Sequence, residues 1–169
     1  MTQYLEQLEI GSTLRVKGPE GHLHYQARGI ITVHGHPIRV RRISMIAGGT
    51  GITPMYQLIK AILDDPDDTT ELALVYSNHT LNDILLKGEL DELAQQHHNF
   101  KLWYTVSDSP GPEWKFGVGR IDEKMLHEHL FVPGSGSVAL VCGPPAMVSL
   151  SALPMLEKIG FKDDATFEF

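Results

Sequence analysis

The sequence predicts an α/β protein: a doubly wound parallel sheet of Rossmann-like type, preceded by a small antiparallel β segment. Three observations carry this. From Ile43 onward, short apolar runs alternate with amphipathic stretches in the rhythm strand, helix, strand, helix. Two of those runs end in a glycine turn that leads through proline into a helical pattern, at Gly48–Pro54 and at Gly143–Pro145. Before Ile43 there are only short alternating segments cut by Gly, Pro and His, as in hairpins.

In chain order, Met1 to Leu8 reads as a short amphipathic helix with Leu5 and Leu8 on one face, ended by Gly11. Thr13–Val16, His22–Gln26, Gly29–Val33 and Pro37–Val40 read as small antiparallel strands. They are separated by Lys17-Gly-Pro-Glu-Gly21 and His34-Gly-His36. Four such strands bury little surface, which points to the remnant of a larger barrel. Ile43–Ala47 is a buried strand, followed by a helix over 53–63 with Met55, Leu58, Ile59 and Ile62 at helical spacing. The Asp64-Asp-Pro-Asp-Asp68 run stops that helix as a solvated turn; it lacks the spacing of a calcium loop. Leu72–Ser77 is a second strand, Asp83 to Gln95 a helix and Phe100–Val106 a third strand. A polar loop runs to Gly119, and Asp122 caps a helix to His129. Val138–Cys142 is a fourth strand, then a helix over 145–158 and a terminal strand, Ala165–Phe169. The boundaries divide the chain into 1–42, the β segment, and 43–169, the α/β unit.

Several function classes drop out. With 21 acidic against 14 basic residues the formal charge is −7, which argues against a nucleic acid or an anionic membrane as partner. One cysteine excludes an internal disulfide and fits a reducing compartment, so a cytoplasmic protein is expected. No apolar run approaches the ~18–20 residues that span a bilayer. His22/His24 and His34/His36 share strand faces, but no cysteine or carboxylate completes a ligand set, and no metal is expected. Trp103 and Trp114 read as core and loop-packing residues.

Two stretches carry chemistry. In Ser44-Met-Ile-Ala-Gly-Gly-Thr-Gly-Ile-Thr-Pro-Met55 a strand turns through Gly48, Gly49 and Gly51 into a helix that Pro54 opens at its first position. Such a helix start leaves free N–H groups and a positive dipole end, suited to a phosphate. The spacing is G-x-G-x-x-P, so it departs from the dinucleotide fingerprint, and no Walker lysine follows. On the residues alone, a structural strand-to-helix turn explains it as well. Cys142-Gly-Pro-Pro-Ala-Met147 repeats the pattern and puts Cys142 at the ligand edge of the sheet. The plain reading is a small buried core cysteine; a nucleophile would need a histidine base that no motif places.

The two turns together, Gly48–Met55 and Cys142–Met147, resemble the nicotinamide-nucleotide half of the ferredoxin–NADP reductase superfamily. The closer resemblance is to its branch containing cytochrome b5 reductase and the C-terminal part of eukaryotic assimilatory nitrate reductase. Val16–His22, Asn78–Leu93, Leu102-Trp-Tyr104, Trp114–Gly119 and Phe167-Glu-Phe169 fit as well, and Arg41-Arg42 leans toward the nitrate reductase side. The resemblance covers essentially the whole chain.

The resemblance implies a flavin-dependent oxidoreductase in which NADH, or in some relatives NADPH, delivers hydride to FAD. Electrons then pass to haem and molybdenum centres in domains outside this chain, the haem domain being a partner in the same polypeptide. Gly49, Thr50 and Gly51 would lie under the pyrophosphate, with Gly48 in the same turn. Thr53 and Pro54 would approach flavin and nicotinamide. Cys142 would sit beside nicotinamide C4 and place it, while Gly143, Pro144 and Met147 wall the pocket. Asp83 would face the adenosine ribose and favour NADH; its rival reading is a helix cap beside Thr80, with Lys87 four positions on as its ion partner. Phe169 would lie near the flavin ring. The family's Arg-x-Tyr-Ser/Thr flavin motif is absent, and its Lys-Met-Ser/Thr segment survives only as Met1-Thr2. A fragment of a larger enzyme is therefore expected, inactive and nearly colourless alone. The alternatives are a cytochrome b5 reductase-type NADH dehydrogenase, or a nucleotide-binding fragment without turnover.

Overall fold

The computed structural model describes residues 2–18 and 21–169. A short helix, α1 (Thr2–Glu6), precedes three strands, β1 (Leu23–Ala27), β2 (Ile30–Val33) and β3 (His36–Arg39), which form an antiparallel sheet in that order. Two-residue turns join them. Arg28 and Gly29 have φ of 47° and 74°, and His34 and Gly35 have 48° and 83°, the left-handed pair that matches the twist of a tight hairpin. Thr13–Val16, expected as a strand, is in neither sheet. It is exposed and pairs with nothing among the described residues, and a lone extended segment has no ladder to stabilise it. Met1, Pro19 and Glu20, from the expected N-terminal helix and the turn before β1, lie outside the described residues.

The second sheet holds β4 (Arg42–Gly48), β5 (Glu71–Asn78), β6 (Phe100–Val106), β7 (Gly117–Val118), β8 (Ser137–Cys142) and β9 (Thr166–Glu168). Its order is β7-β6-β5-β4-β8-β9, and every neighbouring pair is parallel. Strand residues alternate between two cores, because successive side chains leave a strand on opposite faces. Met45, Leu72, Leu74 and Tyr76 pack with α2 (Ile52–Leu63) and α3 (Lys87–Gln96). Ile46, Ala73, Val75 and Val141 pack with α4 (Glu123–His129) and α6 (Leu153–Lys158). The sheet is doubly wound, as the alternation predicted. Strand order reverses between β4 and β8, the topological switch point at which such sheets take ligands.

Several elements differ from the sequence expectation. Helix α3 begins at Lys87, not Asp83: Leu81–Asp83 makes one 3₁₀ turn, and Leu86, with φ 56°, breaks the path between them. Lys87 therefore cannot reach Asp83 along a helix. It pairs instead with Asp91 at 2.5 Å. The helix over 145–158 is three pieces: α5 (Pro145–Met147), a π-helical turn Val148–Ala152, and α6. Pro154 has no N–H to return to Leu150, and its ring would strike that carbonyl; the wider π turn relieves both. Strand β7 forms inside what reads as a loop, through backbone pairing of Thr105 with Gly117 and Val106 with Val118. Asp122 caps α4 as expected, its carboxylate accepting from the Met125 N–H at 2.8 Å.

The Asp64–Asp68 turn is not all solvated. Asp68 is buried and accepts hydrogen bonds from the Arg28 N–H (2.9 Å), the Thr70 N–H (3.0 Å), the Thr70 hydroxyl (2.6 Å) and the Tyr25 hydroxyl. It ties the first hairpin to the parallel sheet. The half-buried Asp65 and the exposed Asp67 hold the Arg28 guanidinium.

Candidate functional site

Both glycine turns leave the sheet at neighbouring strand ends, because Ala47 of β4 and Cys142 of β8 are register partners. They pack directly on each other. A Cβ added at Gly51 would lie 2.2 Å from the Cys142 carbonyl oxygen. One at Gly48 would lie 2.5 Å from Met147 Sδ and 3.0 Å from Pro144 Cδ, and one at Gly143 would lie 2.6 Å from Met147 Cε. Three of the four glycines are thus fixed by turn-on-turn contact, with the Met147 thioether filling the seam. Gly49 differs. Its φ is 52°, and nothing lies within 4 Å of where a Cβ would be. It is the position where a ligand can approach the main chain closely.

The turn itself is a 3₁₀ segment, Gly49–Gly51, running into α2, whose first residue is Ile52. Pro54 is therefore the third helical residue, not the first; the N–H it lacks is still one of those an α-helix leaves unpaired. The Ile52 N–H donates to the Gly49 carbonyl, and the Thr53 hydroxyl donates to the Thr50 carbonyl at 3.0 Å. Thr50 and Thr53 are exposed and Pro54 is half-buried, so this corner faces outward.

Cys142 ends β8 and is half-buried with a free thiol. Burial, helped by the Glu168 carboxylate, pushes the thiol pKa up. At neutral pH it is protonated, a poor nucleophile. Strand β9 lies parallel to β8 with Glu168 beside Val141, and the Phe169 N–H donates to the Val141 carbonyl at 3.0 Å. Phe169 is thereby held next to Cys142 at the sheet edge, its side chain 50% exposed.

Asp83 lies beyond the end of β5. Its Oδ2 accepts from both the N–H and the hydroxyl of Thr80, each at 2.8 Å, completing a capping box. Those bonds hold its pKa below the usual carboxylate value. The cap thus has direct geometry, while Oδ1 is left for any second partner. Thr2, which the resemblance gives as the remnant of a flavin-binding segment, is the first residue of α1.

Two polar residues on one face of β5 escaped the sequence reading. The Tyr76 hydroxyl donates to the Gly49 carbonyl at 2.9 Å. The Asn78 side chain, two residues on, is buried with neither amide atom hydrogen-bonded. Tyr76 reads in sequence as one more apolar strand residue; only the parallel register of β4 and β5 brings it under the turn.

Among the described residues no group of three His, Cys, Asp or Glu gathers where a metal ion could be held, and no helix is long and apolar enough to cross a membrane.

Comparison with known proteins agrees with this geometry. The family model of the oxidoreductase NAD-binding domain matches residues 45–152. Nitrate reductase (NADH) of Cucurbita maxima is 50% identical over 161 residues, 95% of this chain and 18% of that protein. Nitrate reductase (NAD(P)H) of Hordeum vulgare is 51% identical over 169 residues, 97% of this chain and 19% of that protein. The chain spans under a fifth of the length of these relatives. Among solved structures, the cytochrome b5 reductase domain of Ulva prolifera nitrate reductase superposes with a TM-score of 0.95 at 48% identity, covering 99% of this chain and 64% of that one. The paired glycine turns at the switch point, the family match and this superposition give one conclusion: the chain belongs to the oxidoreductase NAD-binding domain family, in its cytochrome b5 reductase-like form.

Proposed function

We propose that this chain is the NADH-binding part of a cytoplasmic, eukaryotic-type nitrate reductase, with residues 43–169 as the nucleotide-binding unit and 1–42 as the trailing part of a flavin-binding lobe. The observation that carries the reading is the packing of Gly48 and Gly51 against Cys142, Gly143 and Met147. It builds one outward-facing cradle from two turns and leaves Gly49 open within it. A dinucleotide pyrophosphate fits there: the helix start supplies N–H groups and positive potential, and Gly49 carries no Cβ to hold the phosphate off.

Each residue then has a positional task. Gly49, Thr50 and the backbone at Gly51 take the pyrophosphate. Cys142 sets the depth of the nicotinamide from below, as a neutral thiol, while Pro144 and Met147 close the side. Thr53, Pro54 and Phe169 face the flavin from this half of the site. When bound, FAD supplies the hydride acceptor and the route of single electrons to haem and molybdenum centres. The chain's own contribution is to hold nicotinamide C4 in line for transfer, an orientation effect. Asp83 is assigned to the adenosine ribose through Oδ1 in addition to its cap.

Calorimetric titration of the purified chain with ADP-ribose and NADH tests the reading. Weak saturable binding of both, with no flavin absorbance, is expected. No binding of either overturns it. A preparation carrying stoichiometric FAD would show instead that residues 1–42 hold more of the flavin site than assigned.

A further inference from the structure

Gly49 has an unusual liability for a phosphate site. With no side chain and φ at 52°, the peptide plane that follows it can turn either way at little steric cost. One orientation presents the Thr50 N–H to the ligand; the other presents the Gly49 carbonyl oxygen and would repel an anion. Something must choose between them. The Ile52 N–H, within the turn, is one restraint on that carbonyl. The other comes from outside: the hydroxyl of Tyr76, on the neighbouring strand, donates to it at 2.9 Å.

We propose that Tyr76 is a positioning residue for the nucleotide site: its hydroxyl holds the Gly49 carbonyl inward and so turns the Thr50 N–H outward toward the pyrophosphate. The inference rests on the nucleotide reading above. The peptide is trans, so N–H and C=O point in opposite directions, and an inward carbonyl dictates an outward N–H. The anchor is rigid. Tyr76 is fully buried, its ring packs 6.2 Å from that of Tyr104, and its strand is central in the sheet. Burial also raises its pKa, so the hydroxyl keeps its proton throughout the working range. Thr50 is exposed, as a residue offering its amide to a ligand must be. Tyr76 touches no reacting atom; it acts through the turn.

The test is Tyr76→Phe, which keeps the ring and its packing. Amide-resolved NMR titration of the chain with ADP, which carries the pyrophosphate, and with adenosine, which does not, separates positioning from general structure. ADP affinity is expected to fall about three- to tenfold, the worth of one hydrogen bond. Adenosine affinity should stay unchanged, and the Thr50 amide response to ADP should shrink while that of Gly143 persists. In the flavin-complete enzyme the same substitution should raise KM for NADH by a similar factor and leave kcat within about twofold. ADP affinity within twofold of the wild type, or equal losses for ADP and adenosine, overturns the proposal. A wild type that binds no ADP overturns the nucleotide reading itself, and is distinguishable because both proteins then behave alike.

Discussion

The Tyr25 hydroxyl donates to the buried Asp68 carboxylate, joining strand β1 of the small sheet to the turn that follows α2. Burial alone would raise the pKa of Asp68. The hydrogen bonds from Thr70, Tyr25 and the backbone of Arg28 outweigh it and hold the carboxyl below its ordinary value. Burial and the Asp68 bond push Tyr25 up to about 12. The two sheets are thus locked by one carboxylate with four donors.

Asp68→Ala should cost about 2–3 kcal/mol, because it strands several buried donors at once; Tyr25→Phe should cost about 1 kcal/mol. The pH dependence has a definite sign. A carboxyl whose folded pKa is lowered contributes stability above its unfolded value, about 3.9, and loses it as pH falls through the folded value. The Tyr25 contribution is complete below about 10 and is lost as pH rises through about 12. Melting curves of wild type and Asp68→Asn should therefore differ by a constant amount from pH 5 to 8 and converge below about pH 4. A gap that persists into acid would show that the carboxylate charge is not what matters.

Gly51 and Gly49 should separate stability from binding. Gly51→Ala drives a Cβ to 2.2 Å from the Cys142 carbonyl, a backbone contact that cannot swing aside. A loss of about 3 kcal/mol or more is expected. Gly49→Ala meets no atom and carries only the strain of positive φ, about 1–2 kcal/mol. Its effect should fall on ADP-ribose affinity instead. Paired melts and titrations check this, and the reverse ranking would misplace the open side of the cradle.

Cys142 should behave as a positioning group. Its raised pKa means that alkylation by iodoacetamide is slow at pH 7 and accelerates only above the ordinary thiol range. Cys142→Ser in a flavin-complete enzyme should lower kcat while leaving NADH affinity nearly unchanged. A trapped covalent adduct with a substrate analogue would sink this assignment.

Asp83→Asn keeps an oxygen to accept from Thr80 and removes the charge. Melting should move little, whereas Asp83→Ala loses the cap and should melt at a lower temperature. If Oδ1 faces the ribose, Asp83→Asn improves kcat/KM for NADPH several-fold, since it no longer repels a 2′-phosphate. Equal losses with both nucleotides would leave Asp83 as a cap only.

Both glycine turns, the alternation around them and the Asp122 cap were legible because each depends on local sequence: an apolar run, a glycine, a capping side chain. What was not legible depends on register between distant segments. Tyr76 under Gly49, Asp68 under Tyr25, and β7 beside β6 all bring together residues with no shared local pattern. Lys87 was misassigned to Asp83 because helical spacing was extended across Leu86, whose left-handed backbone nothing in a leucine announces. Pro154 did carry a signal: a proline inside a helical pattern asks for a break, and the π turn beside it is that break.

The parallel sheet also ends in stubs, two residues at β7 on one flank and three at β9 on the other. An exposed strand is a template on which a second chain can add itself, and long flat ones lead to aggregation. Strand β9 itself offers a visitor only a few backbone groups in line, whereas β7 covers only Thr105 and Val106 of β6. The apolar interior strands, β4 and β5 above all, are shielded from such pairing by β8 and β6. Lengthening β7 or β9 with alternating apolar residues should promote edge-to-edge association of the chain.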